Sequence, residues 1–432
     1  MNTPYQNNIA QYLTRRMQDN AQWYHKTGRI DDFVFNTADE TIFCLIHFVI
    51  SQLLHDGHTV LILNKHDDIN NTQNTAHDKL SPWQLSVLHP VMSLIGDKVG
   101  DDLDFNAIFG RIDELSNDKT ALAHYIHHTQ HDLKERYYQH SIITKSHSHQ
   151  SDEQVVTQLG ELMICALRFY YLTSITLGRD FDEFIKRLHA NPFFVHGDDE
   201  RTDRAVVFYH DAEKLYLWLG RRYQAERALL SGLHASRHSP IHALDLPINL
   251  SLNPEQQQAI RQVASEPFSI ITGGPGTGKT FTVAQIVLAL HHAVSDMGGE
   301  LSLALVAPTG KASQRMAESL QNALSGSQSH IVLPEPMTIH RLLGIGMSGM
   351  PRYHASNPLP YELIIVDEAS MLGTELARHL LCAVKRGARI ILLGDAHQLS
   401  AVDAGAVLAD LCRIPSLMTT RTHLVVSNRF SK

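Results

Sequence analysis

Residues 273–280 read Gly273-Gly274-Pro275-Gly276-Thr277-Gly278-Lys279-Thr280, which satisfies G-x-x-x-x-G-K-[ST] in full. This feature constrains the fold because it works only between a buried strand and a helix N-terminus. Both flanks are present: Phe268-Ser269-Ile270-Ile271-Thr272 reads as a buried strand, and Phe281 through His292 carries apolar residues at helical spacing. Such a junction aims backbone N–H groups and the positive end of a helix dipole at one point. Glycine is needed there because a Cβ would block phosphate oxygens from the backbone. Lys279 can reach β- and γ-phosphates, and the Thr280 hydroxyl can hold Mg²⁺. The expected ligand is a nucleoside triphosphate. A chance glycine-rich turn is the alternative, and the flanking pattern disfavours it.

Further short apolar runs suggest the rest of a parallel α/β sheet. Leu363-Ile364-Ile365-Val366 ends in Asp367-Glu368, at the strand edge where ligands collect in open α/β sheets. Asp367 is suited to hold Mg²⁺, directly or through water, and Glu368 to orient and deprotonate an attacking water. Alone, the run could be a strand with a solvated end; a phosphate loop upstream favours the catalytic reading. Ile390-Ile391-Leu392-Leu393 leads to Gln398, whose amide can both donate to and accept from a γ-phosphate site. Leu303-Ala304-Leu305-Val306 runs into Ala307-Pro308-Thr309-Gly310-Lys311. Pro308 and Gly310 stop that strand and present Thr309 and Lys311 at the rim, which suits a nucleic-acid phosphate or an ordinary helix cap. Thr338 and His340 begin a weaker segment that is either a second such contact or a plain helix start. Upstream, Asn253 caps a helix with Pro254 in its first turn. Gln256 there is either a reader of an adenine edge or a surface glutamine.

The chain has 432 residues, enough for two or three domains. Its four cysteines are far apart, with no C-x-x-C pair, which argues against a zinc ribbon, an iron–sulfur cluster or a disulfide framework and fits a reducing cytosol. Met1–Arg16 lacks a secretion signal, and Ile42–Leu54, interrupted by His47, Ser51 and Gln52, is too short to cross a bilayer. A cytoplasmic protein without a membrane anchor is expected. Net charge is −8, but residues 246–432 hold 14 basic and 13 acidic side chains, whereas residues 1–245 hold 23 and 32. The acidic part is a poor grip for phosphate backbones and suits protein contact or solvation.

Residues 1–200 read as mostly helical, with examples at Ile9–Met17, Thr41–Leu54, Gln154–Ile175 and Phe181–His189 and a polar loop across 141–153. Segment 201–247 reads as a hairpin, a helix and a linker, and 248–420 as the ATPase lobe. His124, His127, His128 and His131 share one helix face, where a metal site competes with a solvated face. With no acidic or cysteine ligand on that face, solvation is the expectation.

Together these residues resemble superfamily-one helicases. Leu252-Asn253…Gln256 looks like the adenine-reading Q motif, and Thr309-Gly310-Lys311-Ala312 like motif Ia. Thr338…His340 resembles the next DNA-contacting motif, Asp367-Glu368 motif II, and Gly394-Asp395…Gln398-Leu399 motif III. Leu424-Val425-Val426-Ser427-Asn428-Arg429-Phe430 resembles motif IV, which carries a γ-phosphate arginine role onto Arg429. The spelling Gly-Gly-Pro-Gly-Thr-Gly-Lys-Thr, with Ala-Pro-Thr-Gly-Lys-Ala and Val-Asp-Glu-Ala-Ser-Met, resembles the RecD family, the alpha subunits of the bacterial RecBCD (exonuclease V) complexes. That resemblance is strong over 200–432, weaker over 1–110 and absent over roughly 110–200, which reads as an insertion. It implies a RecA-like P-loop domain, ATP with Mg²⁺, 5′→3′ movement on one DNA strand at a duplex end, and RecB and RecC as partners in double-strand-break repair. Residues 421–432 then read as the start of a second RecA-like lobe, the rest of which is missing. ATP-driven movement by residues 1–432 alone is therefore expected to be weak or absent. Two rivals are a non-catalytic interaction subunit that binds nucleotide structurally and a P-loop ATPase acting on proteins.

Overall fold

The computed structural model describes residues 38–66, 80–100, 103–144, 149–199, 205–246, 249, 251–324, 331, 333–347, 349–396, 398 and 405–425. The expected helix Ile9–Met17 and the segment 426–432 with Arg429 lie outside them. The chain divides near Arg221 into two units.

Six helices dominate the first unit: α1 (Ala38–His55), α2 (Pro82–Val99), α3 (Phe105–Leu115), α4 (Lys119–Thr144), α5 (His149–Tyr171) and α6 (Phe181–Ala190). Ile42, Leu45, Ile46, Val49 and Ile50 recur at helical spacing on α1 and are fully buried. Trp83 stacks on Phe184 at 4.7 Å and Phe109 on Tyr170 at 4.2 Å in the centre of this core. The same core takes in Ile42–Ile50 of α1 and Val87–Ile95 of α2 together with rings from α3, α5 and α6. Gln84 is buried there without penalty, because its amide donates to Thr173 Oγ1 (2.7 Å) and Ser174 Oγ (2.9 Å). Strands β1 (Leu61–Asn64), β2 (Phe194–His196), β3 (Val206–His210) and β4 (Lys214–Leu219) form a sheet in the order β1-β4-β3-β2. The expected hairpin is β3–β4, antiparallel with Val206 opposite Leu219, and it belongs to this unit's sheet.

One reading is adjusted. The polar stretch 141–153, expected as a loop, is largely helical: α4 continues to Thr144 and α5 starts at His149. On α4, His124, His127, His128 and His131 are all exposed. Val155–Thr176 is long and apolar enough to cross a membrane by composition, and 61% of its window is buried inside the protein.

The second unit contains α7 (Gly220–Arg237), α8 (Pro254–Ser265), β5 (Phe268–Gly273), α9 (Lys279–Asp296), β6 (Leu303–Ala307), α10 (Gly310–Leu324), β7 (Met337–Thr338), α11 (Ile339–Leu343), β8 (Leu363–Val366), α12 (Thr374–Ala383), β9 (Arg389–Gly394), α13 (Val407–Arg413) and β10 (Arg421–Leu424). The six strands run in the order β10-β5-β9-β8-β6-β7, every pair parallel. Strand residues alternate between two cores: Ile270, Val306, Ile364 and Leu392 join one, and Ile271, Leu305, Ile365 and Leu393 the other. A parallel sheet covered on both faces is the expected α/β class, and it explains why its strands read as continuous apolar runs.

The start of the expected second lobe is corrected here. Arg421–Leu424 is β10, an edge strand of this same sheet, with Arg421 opposite Ile270 and Leu424 opposite Gly273. Buried Gln262 of α8 fixes it, donating to the Thr420 carbonyl and accepting from Thr422 Oγ1 at 2.7 Å.

Candidate nucleotide site

Parallel pairing puts all six strand C-termini on one edge, so Gly273, Ala307, Thr338, Val366, Gly394 and Leu424 end side by side. Almost every residue singled out from the sequence follows one of these ends.

The loop after β5 is built by glycine. Gly276 (φ 83°) and Gly278 (φ 82°, ψ 21°) occupy the left-handed region, and Gly278 is the N-cap of α9. Gly273 has a different reason: a Cβ would lie 2.5 Å from Thr277 Oγ1 and 2.8 Å from the Leu424 carbonyl oxygen. At Gly274 a Cβ would meet nothing within 4 Å, so that flank of the loop is open. Thr277 Oγ1 donates to the Gly274 carbonyl at 2.9 Å and braces the turn. Lys279 Nζ donates to the carbonyls of Gly273 (2.7 Å) and Gly274 (3.0 Å), which holds the ammonium over the loop. Pro275 is exposed and Thr280 half-buried at the helix start, where the first N–H groups have no intrahelical acceptor.

Two strands away, Asp367 and Glu368 follow β8. The Glu368 N–H donates to Asp367 Oδ1 at 2.8 Å, and the Asp367 N–H donates to the Val306 carbonyl at 2.9 Å. Glu368 has φ 50° and ψ 40°, a left-handed conformation that costs a non-glycine residue about 1 kcal/mol or more. Burial pushes the Asp367 carboxyl above the ordinary aspartate range, against the Glu368 N–H bond and the charge of Lys279, which favour the ionised form. Lys279 and Asp367 thus feel each other across one edge of the sheet.

Ser370, not singled out from the sequence, belongs to this site. Its hydroxyl is buried without a hydrogen-bond partner on the turn Ala369–Met371. Its backbone N would lie 3.1 Å from a Cβ at Gly394, so only glycine lets β9 end against the Asp367–Ser370 turn. The signal available was the Asp-Glu-Ala-Ser spelling itself.

Other predicted residues are placed as follows. Gln256 is buried, not a surface side chain: its oxygen accepts from the Asn253 N–H (3.2 Å) while Asn253 Oδ1 accepts from the Gln256 N–H (2.8 Å), a capping box. Only its amide NH₂ is left for an adenine edge. Thr309 and Thr338 cap α10 and α11, accepting from Ala312 N (3.3 Å) and Arg341 N (3.2 Å). A capping hydroxyl keeps its own O–H for a phosphate, so the two readings of these threonines coexist. Lys311, Gly310 and His340 are exposed and Pro308 half-buried on the same rim. Gln398 is exposed just past β9.

These residues fit a magnesium nucleotide. The loop is open at Gly274, and the nearby donor set is all oxygen, the hydroxyl of Thr280 and the carboxylate of Asp367, which is the chemistry Mg²⁺ selects. When bound, the ion would neutralise phosphate charge. With a nucleotide bound, Lys279 and the loop N–H groups would be the groups to hold its phosphates, and Glu368 would be the group to take a proton from an attacking water.

Residues 256–404 match the AAA domain family. The chain is 42% identical over 168 residues to the RecBCD enzyme subunit RecD of Haemophilus influenzae, covering 37% of this chain and 26% of that protein. It is 38% identical over 219 residues to the RecBCD enzyme subunit RecD of Mycobacterium tuberculosis, covering 49% and 38%. To the ATP-dependent RecD2 DNA helicase of Deinococcus radiodurans it is 40% identical over 175 residues, covering 40% and 22%. These similarities bear out the resemblance to RecD-type superfamily-one helicases, and the match spans well under half the length of each relative.

Proposed function

We propose that the chain carries the nucleotide-binding part of an ATP-dependent 5′→3′ DNA helicase subunit of the RecBCD type. In this reading it works in the cytoplasm with RecB and RecC on the single strand at a duplex end, in double-strand-break repair and recombination. The observation that supports this most is the meeting of Lys279, Thr280, Asp367 and Glu368 at one edge of a parallel sheet. Thr309, Lys311, Thr338 and His340 continue that edge as a polar rim for DNA phosphates, and Gln398 and Arg429 couple the γ-phosphate to movement. The acidic N-terminal part contacts protein partners, since its charge repels a phosphate backbone.

The test begins with MgATP binding to residues 1–432, followed by a fluorescent analogue. Lys279→Ala is expected to weaken binding at least tenfold. In an assembly with RecB and RecC, Lys279→Ala and Glu368→Gln should each abolish this subunit's DNA-stimulated hydrolysis. Undiminished turnover in Lys279→Ala would refute the reading.

A further inference from the structure

A nucleotide held by the phosphate loop must also place its base, and two helices start beside that loop. Ala259, Ile260 and Val263 of α8 share one core with Val283, Ala284 and Val287 of α9, so both helices cover the same face of the sheet. Both also begin at the edge where the strands end. α9 follows the loop itself, and Glu255 in the first turn of α8 accepts the Val425 N–H at 3.2 Å, one residue past the Leu424–Gly273 pair.

Apolar side chains are exposed where these elements meet the edge. Phe281, two residues after Lys279, is 42% exposed, and no other residue of α9 between Lys279 and Val294 is exposed. A phenyl ring left in water forgoes the burial that the rest of the helix obtains. Val425 is 64% exposed. Gln256, next to Glu255 in the same turn, is only 4% exposed. Its oxygen accepts the Asn253 N–H, and its amide nitrogen has no acceptor among the described residues. Neighbouring Gln257 spends both ends of its amide, on the Leu252 carbonyl and on Arg261. A buried amide with an unused donor is a group that a ligand acceptor completes.

From this arrangement we infer that Phe281 and Val425 are the walls of a purine slot: the base stacks on the Phe281 ring, Val425 covers it from the β10 side, and the Gln256 NH₂ donates to N7. The slot rests on the nucleotide reading of the loop and adds the class of base to it. Any base offers a flat face to an aromatic ring. N7 is an acceptor on adenine and guanine alike, and pyrimidines lack it. MgATP and MgGTP are therefore expected to bind more tightly than MgCTP.

Residues 1–432 are titrated with these nucleotides and with magnesium tripolyphosphate, which has the phosphates and no base. Phe281→Ala, at an exposed position, should weaken MgATP at least fivefold and leave tripolyphosphate unchanged, and Phe281→Tyr should restore MgATP. Gln256→Glu keeps an oxygen for the capping box and removes the donor. It should weaken MgATP and MgGTP together, again without effect on tripolyphosphate. Lys279→Ala, by contrast, should weaken every one of these ligands. The slot is overturned if MgATP ignores Phe281→Ala, if MgATP and tripolyphosphate weaken equally in that variant, or if MgCTP binds as tightly as MgATP; the phosphate site survives each of these results. Failure of the parent chain to bind any of the ligands would sink the nucleotide reading, and the slot with it.

Discussion

Glu161 shows how one side chain sets a pH dependence. Burial on α5 pushes its carboxyl from 4.5 to about 7. The folded state therefore holds a proton that the unfolded chain releases, and stability is fully present below the unfolded value and declines as pH rises towards about 7. Glu161→Gln cannot ionise, so its melting midpoint should exceed the parent's at about pH 8 and match it near pH 4.5. Solvent reaches the partly buried group, which limits the gain to about 1 kcal/mol. Equal midpoints at both pH values would show that the carboxyl is ordinary. Gly273 gives the complementary case at the site. Gly273→Ala puts a methyl 2.5 Å from Thr277 Oγ1 and 2.8 Å from a β10 carbonyl, neither of which retreats without moving the loop. Nucleotide affinity should fall at least tenfold, more than in Gly274→Ala, where the added methyl meets no protein atom. The sequence motif marks both as glycines of one loop; only the fold separates the steric one from the open one. Glu368 was likewise named from the sequence, but nothing in Asp-Glu-Ala-Ser announces its left-handed backbone, which depends on the turn packed against Gly394.

At the scale of elements, legibility follows burial. Strands β5, β6, β8 and β9 were readable within a residue or two, because a sheet covered on both faces demands unbroken apolar runs. The edge strand β10 was not: Arg421-Thr422-His423-Leu424 alternates, and its place depends on Gln262, about 160 residues away in sequence. Gln262→Leu should therefore cost about 2 kcal/mol, since it leaves the Thr420 carbonyl and the Thr422 hydroxyl buried without their partner. Because Leu424 borders Gly273, the same substitution should also weaken MgATP binding. A chemical-denaturation midpoint and one binding curve measure both effects. An unchanged midpoint would mean that β10 is held by strand pairing alone. The helix ends at Thr144 and His149 were missed for the opposite reason, since outside a core polarity no longer distinguishes helix from loop.

For the whole molecule, the cores matter more than the single charge of −8. Trp83, Phe109, Tyr170 and Phe184 belong to a cluster confined to the first unit, and Ile270, Ile271, Ile364 and Ile365 to clusters confined to the second. A chain with separate cores unfolds in more than one step, so each ligand acts on the step of the unit that holds it. MgATP at a hundredfold excess over its dissociation constant adds roughly 2.7 kcal/mol to the state that binds it. Calorimetry should therefore show one transition that rises with MgATP and is fixed in Lys279→Ala. The other should stay where it is when MgATP is added. If MgATP moves both transitions equally, the two units melt as one body, and the stabilities argued for Glu161 and Gln262 would have to be read as global quantities.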